Sequence, residues 1–156
     1  MKLANAFGLN DSIRTKTFEY GGHTFKVKIP TTAETEAMYE RIKVVPDEEA
    51  EKRYQEMAKP FFDNKDQYTN DPDVVFEEND VKVKDYSLRE TAKNKAMTEN
   101  RIVEMYRLLL PKEAEFDMSQ VTYPDIDEIF PFKVQLEMVD EIASLIAPTY
   151  GETKKK

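Results

Sequence analysis

The chain of 156 residues contains no cysteine, a single histidine and only four glycines, and each shortage removes a class of chemistry. Without cysteine there are no disulfides, no thiolate nucleophile and none of the usual structural zinc sites. His23 has no second imidazole or thiol to complete a catalytic or metal site. Four glycines supply no phosphate-cradling loop. Ser12, Ser87, Ser119 and Ser144 lack the context of a nucleophile elbow. Long apolar runs are missing too. The most apolar stretch, 142–147, falls far short of the roughly 20 residues a membrane helix needs, and the opening MKLANAFGLNDS has no run of signal-peptide length. These shortages predict that the protein is no enzyme, uses no cofactor or metal, and stays in the cytoplasm where it is made.

What is present suffices for a core. Hydrophobic residues make up 40% and aromatics 11%, which sets the chain apart from solvating disordered sequences. One domain over 1–150 is predicted, with a flexible basic tail at 151–156. The 31 acidic and 23 basic side chains leave a net charge of −8, which opposes attraction to phosphate backbones and argues against a nucleic-acid partner. The charge lies in blocks: +3 over 1–30, −9 over 31–80, +4 over 81–112, −8 over 113–151 and +2 over the last five residues. Such blocks pair within one molecule, pair between copies in self-association, or form solvated helix faces.

The expected fold class is α+β, mainly α: an N-terminal antiparallel β-hairpin followed by about four helices, with a long loop in the middle. In TFEYGGHTFKVKIPT, two alternating runs flank Gly21 and Gly22, residues free to adopt the positive φ of a two-residue turn. The hairpin, about 16–29, sets Phe18 against Phe25 and Tyr20 against His23, with Phe25, Val27 and Ile29 on one face. Thr31 and Glu34 have capping-box spacing ahead of a helix over about 32–45. Asp47 opens another to about 59, where Pro60 intervenes. Residues 60–86, rich in Asn, Asp and Pro, read as a loop holding a weak hairpin of 74–77 with 81–84. Ser87 and Glu90 cap a helix reaching to about 110, since no Gly or Pro occurs before Pro111. Its apolar stripe is interrupted by Lys95 and Glu99, so the first half is expected nearer solvent. Asp125, Asp127 and Glu128 in YPDIDEIFP lack the spacing of a calcium loop and read as a capped short turn.

The last helix, about 131–147, carries the functional expectation. Its polar residues Lys133, Glu137, Asp140, Glu141 and Ser144 cover an arc of roughly 100°, leaving an apolar arc wider than a surface helix requires. The excess implies packing on two sides, within the fold or against a partner chain. Phe132, Leu136, Val139, Ile142 and Ile146 are the expected client or self-contact surface.

The succession F-E-Y-G-G-H-T-F-K-V-K-I-P-T, then T-A-E-T-E-A-M-Y-E-R-I, an acidic helical middle, and the closing F-x-V-x-L-E-M-V-D-E-I-A-S-L-I resembles the tail assembly chaperones of long-tailed, siphovirus-type bacteriophages. That resemblance implies a protein of the host-cell cytoplasm, absent from the finished particle. It would bind the tape measure protein, keep its apolar stretches soluble and help recruit tail tube subunits. It also implies a longer product made by programmed frameshifting, with which the Lys-rich ending is compatible. Two further classes stay open: an acidic inhibitor mimicking nucleic acid, and a structural head or tail component.

Overall fold

Gly21 and Gly22 adopt φ of 58° and 79°, the positive pair that lets a two-residue turn match the twist of its flanking strands. Strands β1 (Thr15–Tyr20) and β2 (His23–Lys28) pair on either side in the expected register, Phe18 with Phe25 and Tyr20 with His23. The Phe18 and Phe25 rings stack at 5.4 Å. In the computed structural model, which describes residues 2–9 and 11–148, a short helix α1 (Leu3–Phe7) and a 3-10 turn (Asp11–Arg14) precede the hairpin. Helix α2 (Thr32–Lys43) follows it. Its capping box is complete: the Glu34 amide donates to Thr31 Oγ1 at 3.2 Å and the Thr31 amide to Glu34 Oε1 at 3.0 Å.

The expected loop at 60–86 is largely structured. Helix α3 (Asp47–Asp63) runs through Pro60 rather than stopping before it. An interior proline sacrifices one backbone hydrogen bond, at a cost of about 3 kcal/mol. Packing offsets it: Phe61 meets Tyr68 at 5.1 Å between ring centroids and Phe62 meets Phe76 at 5.6 Å. Helix α4 (Lys65–Tyr68) leads to strands β3 (Val74–Phe76), β4 (Val81–Val83) and β5 (Tyr86–Ser87), an antiparallel sheet in that order. The weak hairpin is therefore present, with Val74 opposite Val83. Its second turn takes positive φ at Lys84 (52°) and Asp85 (70°), a conformation whose usual Asn-Gly signature the sequence does not carry.

Helix α5 (Leu88–Tyr106) ends short of the expected 110. Leu109 and Leu110 instead form strand β6, pairing with Val27 and Lys26 of β2 to give a sheet of order β1-β2-β6. Two forces favour the strand: Pro111 disfavours helical backbone in the residue before it, and β2 has an edge to satisfy. The Lys28 amide donates to the Leu108 carbonyl at 2.8 Å. The first half of α5 is the more exposed one, as expected, with only Leu88, Ala92 and Ala96 buried there, whereas Ile102, Glu104, Met105 and Tyr106 are buried in the second. Glu99 sits in the stripe because Arg53 donates to both its carboxylate oxygens, at 2.8 and 3.1 Å. The expected short turn at 123–129 is a helix, α6 (Tyr123–Ile129), with the Thr122 amide donating to Asp125 at 2.9 Å. Helix α7 (Phe132–Ile146) completes seven helices among the described residues. None is long and apolar enough to cross a membrane. The tail at 151–156 lies outside the described residues.

The chain divides into two compact units, one comprising residues up to Tyr39 and from Arg101 onward, the other Glu40–Asn100. The second has its own core of Tyr54, Ala58, Val74, Val81, Leu88 and Ala92. Asp80 ties it together: it accepts hydrogen bonds from the Val81 amide (2.8 Å), the Arg89 amide (3.2 Å) and the Ser87 hydroxyl. Ser87 in turn accepts from the Glu90 amide at 3.1 Å, as the cap of α5. Burial alone would raise the Asp80 carboxyl, but these hydrogen bonds and the Arg89 charge outweigh it and hold it below its ordinary value. Replacing Asp80 by Ala is expected to cost about 2 kcal/mol near neutral pH, read as a lower urea midpoint with an unchanged slope. Because the folded carboxyl titrates below its unfolded value, near 3.9, its contribution is full above that value and is lost as the pH falls through the folded one. The stability gap between wild type and Asp80→Ala should therefore close in acid.

Candidate protein-binding surface

Helix α7 buries Gln135, Met138, Val139 and Ile142, an i, i+3, i+4, i+7 set that turns one stripe inward. The five expected contact residues are thereby divided. Phe132 is 51% and Leu136 41% exposed, whereas Val139 is 6% and Ile142 0% exposed, and Ile146 is half-buried. Val139 and Ile142 belong to the core of their unit and do not form a surface for a client. The wide apolar arc is mostly consumed by the fold; its exposed remainder is one margin, at the N-terminal end of the helix. Ile129, at the end of α6, is 73% exposed and extends this margin into a ridge of Ile129, Phe132 and Leu136. Sequence reading missed Ile129 because its segment read as a turn, although it lies three residues before Phe132.

An apolar groove of about 460 Å³ is lined by His23, Thr24 and Phe25 of β2, Leu109 and Leu110 of β6, the following Pro111 and Lys112, Met118, and Phe130, which lies between Ile129 and Phe132 in the chain. Its volume lies within the roughly 300–1,000 Å³ of ordinary ligand clefts. No local sequence signal announces it, since its walls come from segments far apart in the chain and depend on Leu109 and Leu110 leaving the helix. His23 stands opposite Tyr20 as expected, and its exposed side chain belongs to the groove rim.

The corner between α6 and α7 is set by a polar side chain. Gln135 is 0% exposed, and its amide donates to the Phe130 carbonyl at 2.7 Å and to Asp127 Oδ1 at 3.0 Å. Its carbonyl oxygen accepts from the Tyr123 hydroxyl at 2.9 Å. Three bonds satisfy a group whose burial would otherwise be costly. They hold Phe130 in the groove wall while Ile129 and Phe132, on either side of it, face solvent. Asp127 is thus used structurally, and no group of three or more His, Asp or Glu side chains placed to hold a metal occurs among the described residues.

Two tyrosines complete the surroundings. The Tyr20 hydroxyl donates to Glu137 of α7 at 3.2 Å, joining the hairpin to the helix. Tyr106, at 3% exposure, meets Phe130 edge-on at 5.2 Å, and its hydroxyl has no hydrogen-bond partner among the described residues. Burial first, and then the neighbouring Tyr20 and Tyr123, raise its pKa. An unpaired buried hydroxyl of this kind costs on the order of 1–3 kcal/mol.

This arrangement predicts unequal sensitivity along one helix. Ile142→Ala should cost about 3 kcal/mol through the cavity it leaves, and Gln135→Leu about 2 kcal/mol through the stranded Phe130 carbonyl and the lost bond to Asp127. Leu136→Ala, already partly in water, should cost about 1 kcal/mol. Urea unfolding of the three variants checks the order.

Comparison of the chain with protein-family models, with curated proteins and with solved structures finds no match in any of the three, so a function has to be argued from this surface and from the sequence.

Proposed function

We propose that the protein is a tail assembly chaperone of a long-tailed bacteriophage, acting in the host cytoplasm. It binds the tape measure protein through its exposed apolar ridge and groove, keeps that client soluble and helps recruit tail tube subunits. The observation that carries the proposal is the occurrence of exposed apolar side chains (Ile129, Phe132, Leu136) on the segment that also gives Phe130 to an apolar groove, in a chain of net charge −8.

The physical demands of the task support the reading. A long amphipathic client helix presents apolar anchors at i, i+3, i+4 and i+7, and a groove backed by aliphatic and aromatic side chains receives them. Met118 in the groove wall adds an adaptable side chain that tolerates differing anchors. An exposed apolar surface is an aggregation hazard unless something opposes association, and the acidic excess does so through net repulsion. Binding of this kind calls for no nucleophile, metal or cofactor. The resemblance of the sequence's layout to tail assembly chaperones supplies the identity of the client.

Co-expression with the tape measure protein tests the proposal. The chain should raise the soluble fraction of the client several-fold, and Phe132→Asp with Leu136→Asp should abolish that gain while leaving helical circular dichroism intact. Equal client solubility with and without the chain would refute it.

A further inference from the structure

We infer that Glu40–Asn100 opens as a cooperative unit of its own, while the other unit stays folded and keeps the surface proposed for the client. This goes beyond client binding and does not depend on it.

Segments that share a core and a sheet open together. In the second unit both are internal. Its core cluster, from Tyr54 to Ala92, and the partly buried side chains packed on that cluster all lie between Glu40 and Asn100. Strands β3, β4 and β5 form a complete sheet within the same span, and β1, β2 and β6 form one outside it, so no sheet of the described residues is shared. The pairs of Arg53 with Glu99 and Arg89 with Glu51, and the three hydrogen bonds to Asp80, also close within the span. A unit of about 60 residues is small but large enough to fold on its own core.

The backbone enters and leaves the second unit through helices, α2 at Tyr39–Glu40 and α5 at Asn100–Arg101. Helix α2 ends at Lys43, about one turn past its junction, and reaches little further. Helix α5 is long, but its buried face breaks at the junction. Leu88, Ala92 and Ala96 are buried before it and Ile102, Met105 and Tyr106 after it, whereas no residue from Met97 to Arg101 is buried. Fraying to this point costs the helix about one hydrogen bond per residue and leaves the second buried set in place.

The ends of the unit are also tied to each other. The Asn100 amide donates to the Ile42 and Val44 carbonyls, both at 3.1 Å. The first of these is an acceptor that the C-terminal turn of α2 leaves without a partner in its own helix. Ends held side by side let an inserted segment fold and unfold without pulling its host apart. The hairpin, β6, Phe130 and the ridge all belong to the other unit, so they persist while Glu40–Asn100 is open.

The test is native-state hydrogen exchange of the full chain without client, in rising sub-denaturing urea. Amides of α3 and β3–β5 should converge on one opening reaction, with a smaller urea dependence than global unfolding and one distinct from that of β2 and α7. Substitutions in the two cores assign the units. Val81→Ala should speed exchange in α3 and β3–β5 by about tenfold or more, with β1, β2 and α7 changing by less than about twofold; Ile142→Ala should do the reverse. Asn100→Ala removes the tie without touching either core, and should speed opening of the second unit alone. One urea dependence shared by all amides, or acceleration of both units by similar factors in these variants, would overturn the inference. Because client is absent, neither result bears on the chaperone proposal.

Discussion

The corner between α6 and α7 depends on Gln135. A primary amide with no exposure has to find partners, and it finds them on the segment directly before its own helix: the Phe130 carbonyl, Asp127 and the Tyr123 hydroxyl. Those bonds fix the angle at which α6 enters α7. Pro131 between them keeps the backbone extended, with ψ of 151°. With the corner fixed, Phe130 turns inward to meet Tyr106 and wall the groove, and its neighbours Ile129 and Phe132 have no interior left to occupy. The exposed ridge is the geometric consequence of a buried polar network, which rigidifies only when its members are satisfied together.

Exposed apolar surface of this kind is tolerable only if it is covered in use and guarded otherwise. The guard is electrostatic. The unit that bears the ridge has a basic hairpin segment and an acidic helical segment. Glu40–Asn100 carries its own stabilising pairs, among them Arg53 with Glu99 and Arg89 with Glu51, which hold helices and loop together within that unit.

Much of the backbone was legible because its signals are local. Gly21-Gly22 between alternating runs specified a hairpin down to its register, and Thr31 with Glu34 and Ser87 with Glu90 marked helix starts that the structure keeps. Where sequence reading failed, a distant partner decided. Pro60 looked like a stop, but the ring contacts of Phe61 and Phe62 with Tyr68 and Phe76 carry α3 past it. Leu109 and Leu110 looked like the end of a long helix, but the open edge of β2 claims them. The buried stripe of α5 was readable from its apolar spacing, but Glu99 within it seemed misplaced until Arg53 appeared beside it. For the surface, the width of the apolar arc on α7 was readable, yet which of its residues stay exposed was not. Val139 and Ile142 turn inward, Phe132 and Leu136 do not, and only the α6–α7 corner distinguishes them.

The central claim is that client binding occurs at this corner and nowhere else on the described chain. Hydrogen exchange of the chain, free and in complex with the tape measure protein, measures it directly. Slower exchange confined to 108–112 and 129–136, with Glu40–Asn100 unchanged, is the predicted result. Protection centred on Glu40–Asn100, or no protection at the corner, would contradict the account.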